Sequence, residues 1–215
     1  MNGKVSVAVI GSGQVAQVLA GGFHKHGYPV QICSRDVAKL ADFSAKSGIA
    51  AVSTEAGVAA ASVVVLAVKG TAAEAVVSGL SAALNGKIVL DATNPIADLP
   101  PRHGVLQYFT GPGDSLMERL QKLAPGAHFV KAFNSVGNPF MVNPSFPGGR
   151  PTMFICGNDA NAKAAATAIL DDFGWDAEDA GLVESAGPVE ALCQLWCAPG
   201  MLRGQWTHAF KLLKL

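Results

Sequence analysis

Glycine and small residues at a fixed spacing stand near the start of the chain, where Gly11-Ser12-Gly13-Gln14-Val15-Ala16 follows the apolar run Val5–Ile10 without a gap. The first glycine permits a tight turn, the second lets backbone N–H groups approach an anion, and Ala16 lets a following helix pack close to the strand. A helix that starts at Gln14 directs its positive end at that turn, which favours a pyrophosphate. Strand, G-x-G-x-x-A turn and Ala-rich helix in this order read as the phosphate cradle of a dinucleotide. A glycine turn in some other α/β protein is the competing reading. Gly11, Ser12, Gly13, Gln14 and Val15 are therefore candidate cofactor-binding residues.

The second strand distinguishes the nucleotide. An NAD-binding unit places an acidic residue there, about twenty residues beyond the glycines, to hold the ribose 2′-hydroxyl. Here the strand ends in Cys33-Ser34-Arg35-Asp36, and Lys39 follows one helical turn later. A hydroxyl and a guanidinium suit a 2′-phosphate, so Ser34, Arg35 and Lys39 favour NADP. Asp36 reads as a cap for the helix after it; if it pointed at the ribose instead, NAD would return. Ala67, Val68 and Lys69, at the end of the expected strand Val63–Val68, join the candidate set.

No group of His, Lys or carboxylate residues asks to be a general base. His24 and His26 suit a helix C-terminus. His103 lies in a Pro/Gly-rich loop within reach of a substrate, and His128 and His208 are not singled out. Asn94 follows a strand end, where its amide can orient a ligand or cap the Pro95 turn. Phe133, Phe140, Met141 and Phe146 are candidates to pack against a ring, with Pro199-Gly200-Met201 closing from the C-terminal side; core packing is the competing role. Cys33, Cys156, Cys193 and Cys197 lie in apolar segments, and no further ligands accompany the pair Cys193 and Cys197, so reduced thiols and no metal are expected.

The elements that must position these residues alternate along the chain. Strands are expected at Val5–Ile10, Pro29–Ser34, Ala50–Val52, Val63–Val68, Ile88–Asp91, His128–Ala132, Thr152–Cys156 and near Trp175–Glu178. Helices are expected at Gln14–His26, Val37–Ser47, Thr71–Leu84, Ser115–Leu123, Ala160–Phe173 and Pro188–Cys197, with another after Pro199-Gly200. That alternation predicts an α/β, Rossmann-type, doubly wound and mostly parallel sheet with a short helical C-terminal extension. Residues 1–135 would form the nucleotide-binding domain, and 136–215 would continue the sheet and add helices over an acceptor site. Two loops, Asn94–Asp114 and Gly137–Pro151, are rich in proline and glycine and start at strand ends, which favours a functional role for both.

Half of the 215 residues are hydrophobic, enough for a sizeable core, and sixteen basic residues balance sixteen acidic ones. That balance argues against a nucleic-acid or membrane-surface partner. The apolar start is only about seven residues long before Gly11 interrupts it, too short for a targeting segment. No run approaches the ~20 residues that span a bilayer. A cytoplasmic protein acting on a small-molecule acceptor is expected.

The segments Gly11–Ala16, Ser34-Arg35-Asp36, Leu90-Asp91-Ala92-Thr93-Asn94-Pro95, Val130-Lys131-Ala132-Phe133-Asn134, Phe154-Ile155-Cys156-Gly157-Asn158-Asp159 and Phe210-Lys211-Leu212-Leu213 occur in order along the chain. In these the sequence resembles the deazaflavin-dependent NADP reductases, which act on coenzyme F(420), and the cytosolic oxidoreductase domain of the STEAP ferric reductases. The resemblance implies NADP along the strand ends, with nicotinamide near Asn94, Pro95, Ala132, Phe133 and Asn134. It also implies hydride transfer to a stacked flavin-like ring, and a homodimer. The STEAP proteins continue into a haem-carrying membrane domain, whereas this sequence ends at Leu215, and Asn138–Gly149 matches no deazaflavin-contact pattern.

Hydride transfer between nicotinamide and a flavin or deazaflavin needs stacked rings and no protein acid or base at the reacting carbon, so no catalytic side chain is expected. His103, Phe140, Met141 and Met201 are the candidate substrate contacts. Two alternatives compete: an NADP(H)-binding sensor without turnover, and a dehydrogenase of a small hydroxy or imino acid. The latter families add an all-helical domain, and only about 80 residues follow Phe133, with strands still among them.

Overall fold

The computed structural model describes residues 3–215, so the first two residues of the expected nucleotide-binding segment lie outside it. Six strands form one parallel sheet: β1 (Val7–Ile10), β2 (Val30–Cys33), β3 (Ala50–Val52), β4 (Val63–Leu66), β5 (Ile88–Asp91) and β6 (His128–Lys131). Their order is β3-β2-β1-β4-β5-β6, the doubly wound dinucleotide-binding order, so the expected fold class is the observed one. Strands β1 and β4 pair in register from Val7–Val63 to Ile10–Leu66 and are buried along their whole length. Both faces are covered by helices, which is why these strands read as unbroken apolar runs.

On one face, α1 (Gln14–Lys25) packs Leu19, Ala20 and Phe23 against Val9, Val65 and Val130. On the other, α3 (Thr54–Ala60), α4 (Gly70–Leu80) and α5 (Leu116–Leu123) bring Val58, Val77 and Leu120 onto Ala8, Val64 and Phe129. The expected Val37–Ser47 helix is a 3-10 turn over Val37–Leu40 followed by α2 (Ala41–Ser47). Helix α3 was not expected. Its Ala and Gly content gives little apolar periodicity, and its N-cap Ser53, which accepts a hydrogen bond from Ala56 N, is the one local signal.

Past β6 the chain forms a second, two-stranded parallel sheet from β7 (Thr152–Ile155) and β8 (Asp176–Asp179), joined by α6 (Ala160–Asp172). An antiparallel bridge between Lys131 and Cys156 links β7 to β6. The two helices expected on either side of Pro199 are one, α7 (Ala186–Arg203). Pro199 leaves the Leu195 carbonyl without its helical partner, but Leu195 is solvent-exposed, so water can meet that turn. Beyond the left-handed cap Gly204 the chain folds back: His208 stacks on Trp196, and Phe210 O accepts a hydrogen bond from Thr152 N beside β7.

The Gly137–Pro151 loop packs against the core at Met141 and Val142, while Pro139, Asn143, Ser145 and Pro147–Arg150 are exposed. Met141 is buried, and its carbonyl accepts a hydrogen bond from Trp175 Nε1 at 2.9 Å. Val142 sits so close to Gly22 that a Cβ there would lie 2.4 Å from Val142 Cγ2.

Candidate functional site

Where β1 and β4 diverge, the switch point of the sheet opens into a cleft of about 700 Å³. The glycine turn forms its floor. Gly11 adopts φ +142, and a Cβ on it would lie 2.3 Å from the Ala67 carbonyl oxygen, so only glycine lets β1 and β4 stay this close. Around Gly13 nothing lies within 4 Å of where a Cβ would be, which leaves room for a ligand to reach the backbone. Gln17 Nε2 donates to the Ser12 carbonyl at 3.0 Å and steadies the turn. Gly13 is the N-cap of α1, with no side-chain cap and no acidic residue in the first turn. The first N–H groups of α1 thus have no intrahelical acceptor, and the positive helix end faces the cleft.

The cleft is lined by Gly11, Ser12 and Gly13, by Ser34, Arg35, Asp36 and Lys39, and by Ala67, Val68 and Lys69, so the structure brings three separate parts of the expected set together. Arg35 is exposed at the rim. Ser34 Oγ accepts from Asp36 N at 3.2 Å and keeps its own hydrogen to donate. Asp36 occupies the N-cap of the 3-10 turn but makes no capping hydrogen bond; its carboxylate lies 3.9 Å from Lys39 Nζ. Cys33 also lines the cleft, and burial pushes its thiol up to about 12, which leaves it a neutral wall. Thr54, Glu55, Ala72 and Val76 complete the wall from α3 and α4. Sequence reasoning missed these, since the residues of helices beside a cleft carry no local signature.

Gln14 and Val15 stand in the first turn of α1, beside the cleft rather than among the residues that line it. Asn94, Pro95, Ala132, Phe133 and Asn134 are also outside the lining; they form a second cluster at the ends of β5 and β6. Asn94 Nδ2 donates to Asn134 O at 2.8 Å, and Asn134 Nδ2 donates to Asn94 Oδ1 at 3.2 Å and to Val189 O at 2.9 Å. These acceptors fix both amide orientations, because flipping either would set oxygen against oxygen. Asn134 Oδ1 remains a buried acceptor with no partner, the one such side-chain atom among the described residues.

Phe133 offers no ring face to a ligand, contrary to expectation. Its ring is fully buried against Phe173, with centroids 5.8 Å apart, and its φ of +61 turns the chain so that the ring enters the core. Met141 is likewise core. Phe140 stacks loosely on Phe146 at 5.2 Å, while His103 and Met201 are exposed and away from the cleft lining.

A buried cluster of one lysine and two carboxylates, which the sequence reading did not single out, stands behind these strand ends. Lys131 Nζ donates to Asp91 Oδ2 at 2.6 Å and Thr93 O at 3.0 Å, and pairs with Glu190 Oε1 at 2.9 Å; all three charged side chains are buried. Asp91 Oδ1 accepts from Thr93 N and Oγ1 at 2.9 and 2.6 Å. Glu190 reaches across from α7 to accept from Leu116 N and Met117 N, both at 3.0 Å. Burial alone would lower the lysine's pKa, but the attraction of Asp91 and Glu190 outweighs it and raises it. Asp91 and Lys131 had a sequence signal: a charge inside a strand covered on both faces must be paired. Glu190 had none, because helix spacing does not reveal which strand a side chain will meet.

The donor set fits a dinucleotide phosphate: a helix N-terminus, an open Gly13, a hydroxyl and a guanidinium. Residues 6–95 match the family described as NADP oxidoreductase, coenzyme F420-dependent. The structure superposes on that of an Arthrobacter sp. FB24 protein, described as a candidate F420-dependent NADP reductase, with a TM-score of 0.90 and 28% identity, covering 98% of this chain and 100% of that one. A hypothetical protein of Sinorhizobium meliloti matches with a TM-score of 0.75 and 27% identity over 98% and 96% of the two chains. An imine reductase from a Pseudomonas species shares the fold, with a TM-score of 0.62, 19% identity and coverage of 88% and 60%. The rat metalloreductase STEAP3 is 28% identical over 200 residues, 91% of this chain, and the chain spans 38% of its length. No helix among the described residues is long and apolar enough to cross a membrane. Residues 6–95, which build the cleft, are thus similar to the coenzyme F420-dependent NADP oxidoreductases.

Proposed function

We propose that the protein transfers a hydride between NADPH and a flavin or deazaflavin acceptor. The observation that carries the nucleotide half is the cleft: the Gly11–Gly13 turn, the α1 N-terminus and the exposed Arg35, with Ser34 and Lys39 beside it, occupy one concave surface. In this reading the backbone N–H groups from Ser12 to Val15 hold the diphosphate and Arg35 holds the 2′-phosphate. The nicotinamide end lies at Asn94, Pro95 and the backbone of Ala132–Asn134, where Asn134 Oδ1 is an acceptor waiting for an amide N–H. When bound, NADPH supplies the hydride and the acceptor ring takes it. The chain's own residues bind, orient and keep water out, and none needs to move a proton at the reacting carbon.

The family and the Arthrobacter relative support the deazaflavin side of the proposal. We place the protein in the cytoplasm as a homodimer, and the exposed apolar side chains of Leu195, Leu202 and Trp206 support self-association. The test is NADPH oxidation with a deazaflavin, an ordinary flavin and no acceptor. Turnover with one ring acceptor supports the reading. Tight NADPH binding with no turnover on any acceptor overturns it in favour of a nucleotide sensor.

A further inference from the structure

We propose that Glu190 is a positioning residue that sets the nicotinamide end of the site from α7; this rests on the NADP reading above. Its carboxylate touches three separated parts of the chain at once: Lys131 at the end of β6, and the backbone N–H groups of Leu116 and Met117 at the start of α5. Through Lys131 it reaches Asp91 and the Thr93 carbonyl, and Thr93 is held twice more by Asp91 Oδ1. The next residue is Asn94, whose amide is locked to Asn134. The neighbour of Glu190, Val189, gives its carbonyl to Asn134 Nδ2. Two consecutive residues of α7 therefore hold both strand-end loops, and with them the direction in which Asn134 Oδ1 points.

Simple structural service does not account for this arrangement. Helix α5 already has a cap, since Ser115 Oγ accepts from Glu118 N at 3.2 Å and donates to Glu118 Oε2 at 2.7 Å. A buried ion cluster is also weak evidence for stability, because apolar residues of like volume serve as well or better. What the cluster supplies is geometry. Every Lys131 donor has an acceptor and every Glu190 oxygen a donor, so the strand ends have one arrangement.

Glu190→Gln leaves Asp91 and Lys131 as a neutral ion pair and should fold. The probes are NADPH and adenosine 2′,5′-bisphosphate, which carries the 2′-phosphate but no nicotinamide, each titrated by calorimetry. The expected result is an NADPH dissociation constant raised about tenfold, the loss of one well-placed hydrogen bond. The bisphosphate should stay within about twofold, as for an independent site. Equal shifts for both ligands, or no shift for NADPH, overturn the proposal, since a general loosening cannot separate them. Asp91→Asn disturbs the same network from the other side and should show the same selectivity if Glu190→Gln does not fold. Failure of the nucleotide reading looks different: the wild-type protein then binds neither probe, and the inference falls with it.

Discussion

The phosphate end of the cleft and the ends of β5 and β6 are opposites in how their polar groups are used. At the phosphate end Arg35 is exposed, Lys39 has only an exposed carboxylate 3.9 Å away, and the α1 N-terminus has no side-chain cap. At the strand ends Asp91, Lys131 and Glu190 are buried and saturated by one another and by backbone groups. Around the glycine turn the helix N-terminus and Arg35 are left without side-chain partners, although Lys69 pairs with Asp98, whereas the charged groups at the strand ends satisfy each other. Asn134 Oδ1 breaks this pattern, as an unpartnered acceptor in the saturated region.

The largest expected effect tests the saturated side. Lys131→Met leaves two carboxylates facing each other in the interior and should cost about 3–5 kcal/mol in urea unfolding at neutral pH. A loss under about 1 kcal/mol would mean the trio is not a closed electrostatic unit. The same lysine gives a pH signature. Its folded pKa is raised, so its contribution is fully present below the ordinary lysine value of about 10.4 and is lost as pH rises through the folded value. The urea midpoint should therefore fall above that pH in the wild type, and the Lys131→Met midpoint should lack this part of the fall.

On the unpartnered side the effects should appear in binding rather than folding. Arg35→Ala should weaken NADPH by about 1.5–3 kcal/mol, the value of a hydrogen bond to a charged group, with NADH little changed. Equal losses for both nucleotides would show that the 2′-phosphate is not read at Arg35. Gly11→Ala crosses the boundary between the two sides, because its Cβ meets the Ala67 carbonyl while its backbone shapes the cradle. It should cost about 1–3 kcal/mol of stability through strain at φ +142, together with NADPH affinity. Smallest is Asp36→Asn. Its exposed contact with Lys39 is worth at most about 0.5 kcal/mol to folding, and losing a negative charge beside Arg35 should shift preference further towards NADPH over NADH.

The contrast also explains what could be read from sequence. The strand, Gly11–Ala16 turn and helix lie within one local stretch, and the residues after β2 follow at a fixed distance, so their chemistry was legible without the fold. The β5–β6 region depends on contacts between residues 40 and 74 positions apart, as in Asp91 with Lys131 and Leu116 with Glu190, and local patterns carry no such information. Phe133 was misread for a related reason. A strand end does place its backbone beside a ligand region, but the positive φ sends the ring the other way, into the core beside Phe173. The unbroken α7 shows a burial effect of the same kind: Gly200 sits under the Trp206 ring, where a Cβ would lie 2.3 Å from it, and packing carries the helix past Pro199.

Because Glu190 belongs to the last helix of the chain, the two ends of the site mature at different times during synthesis. Every strand of the six-stranded sheet and the whole phosphate cradle emerge from the ribosome before Glu190 does. A nascent chain thus carries the glycine turn and all six strands while Lys131 still lacks one of its two carboxylate partners. Arrival of α7 completes the Asp91–Lys131–Glu190 cluster and fixes the ends of β5 and β6 relative to each other.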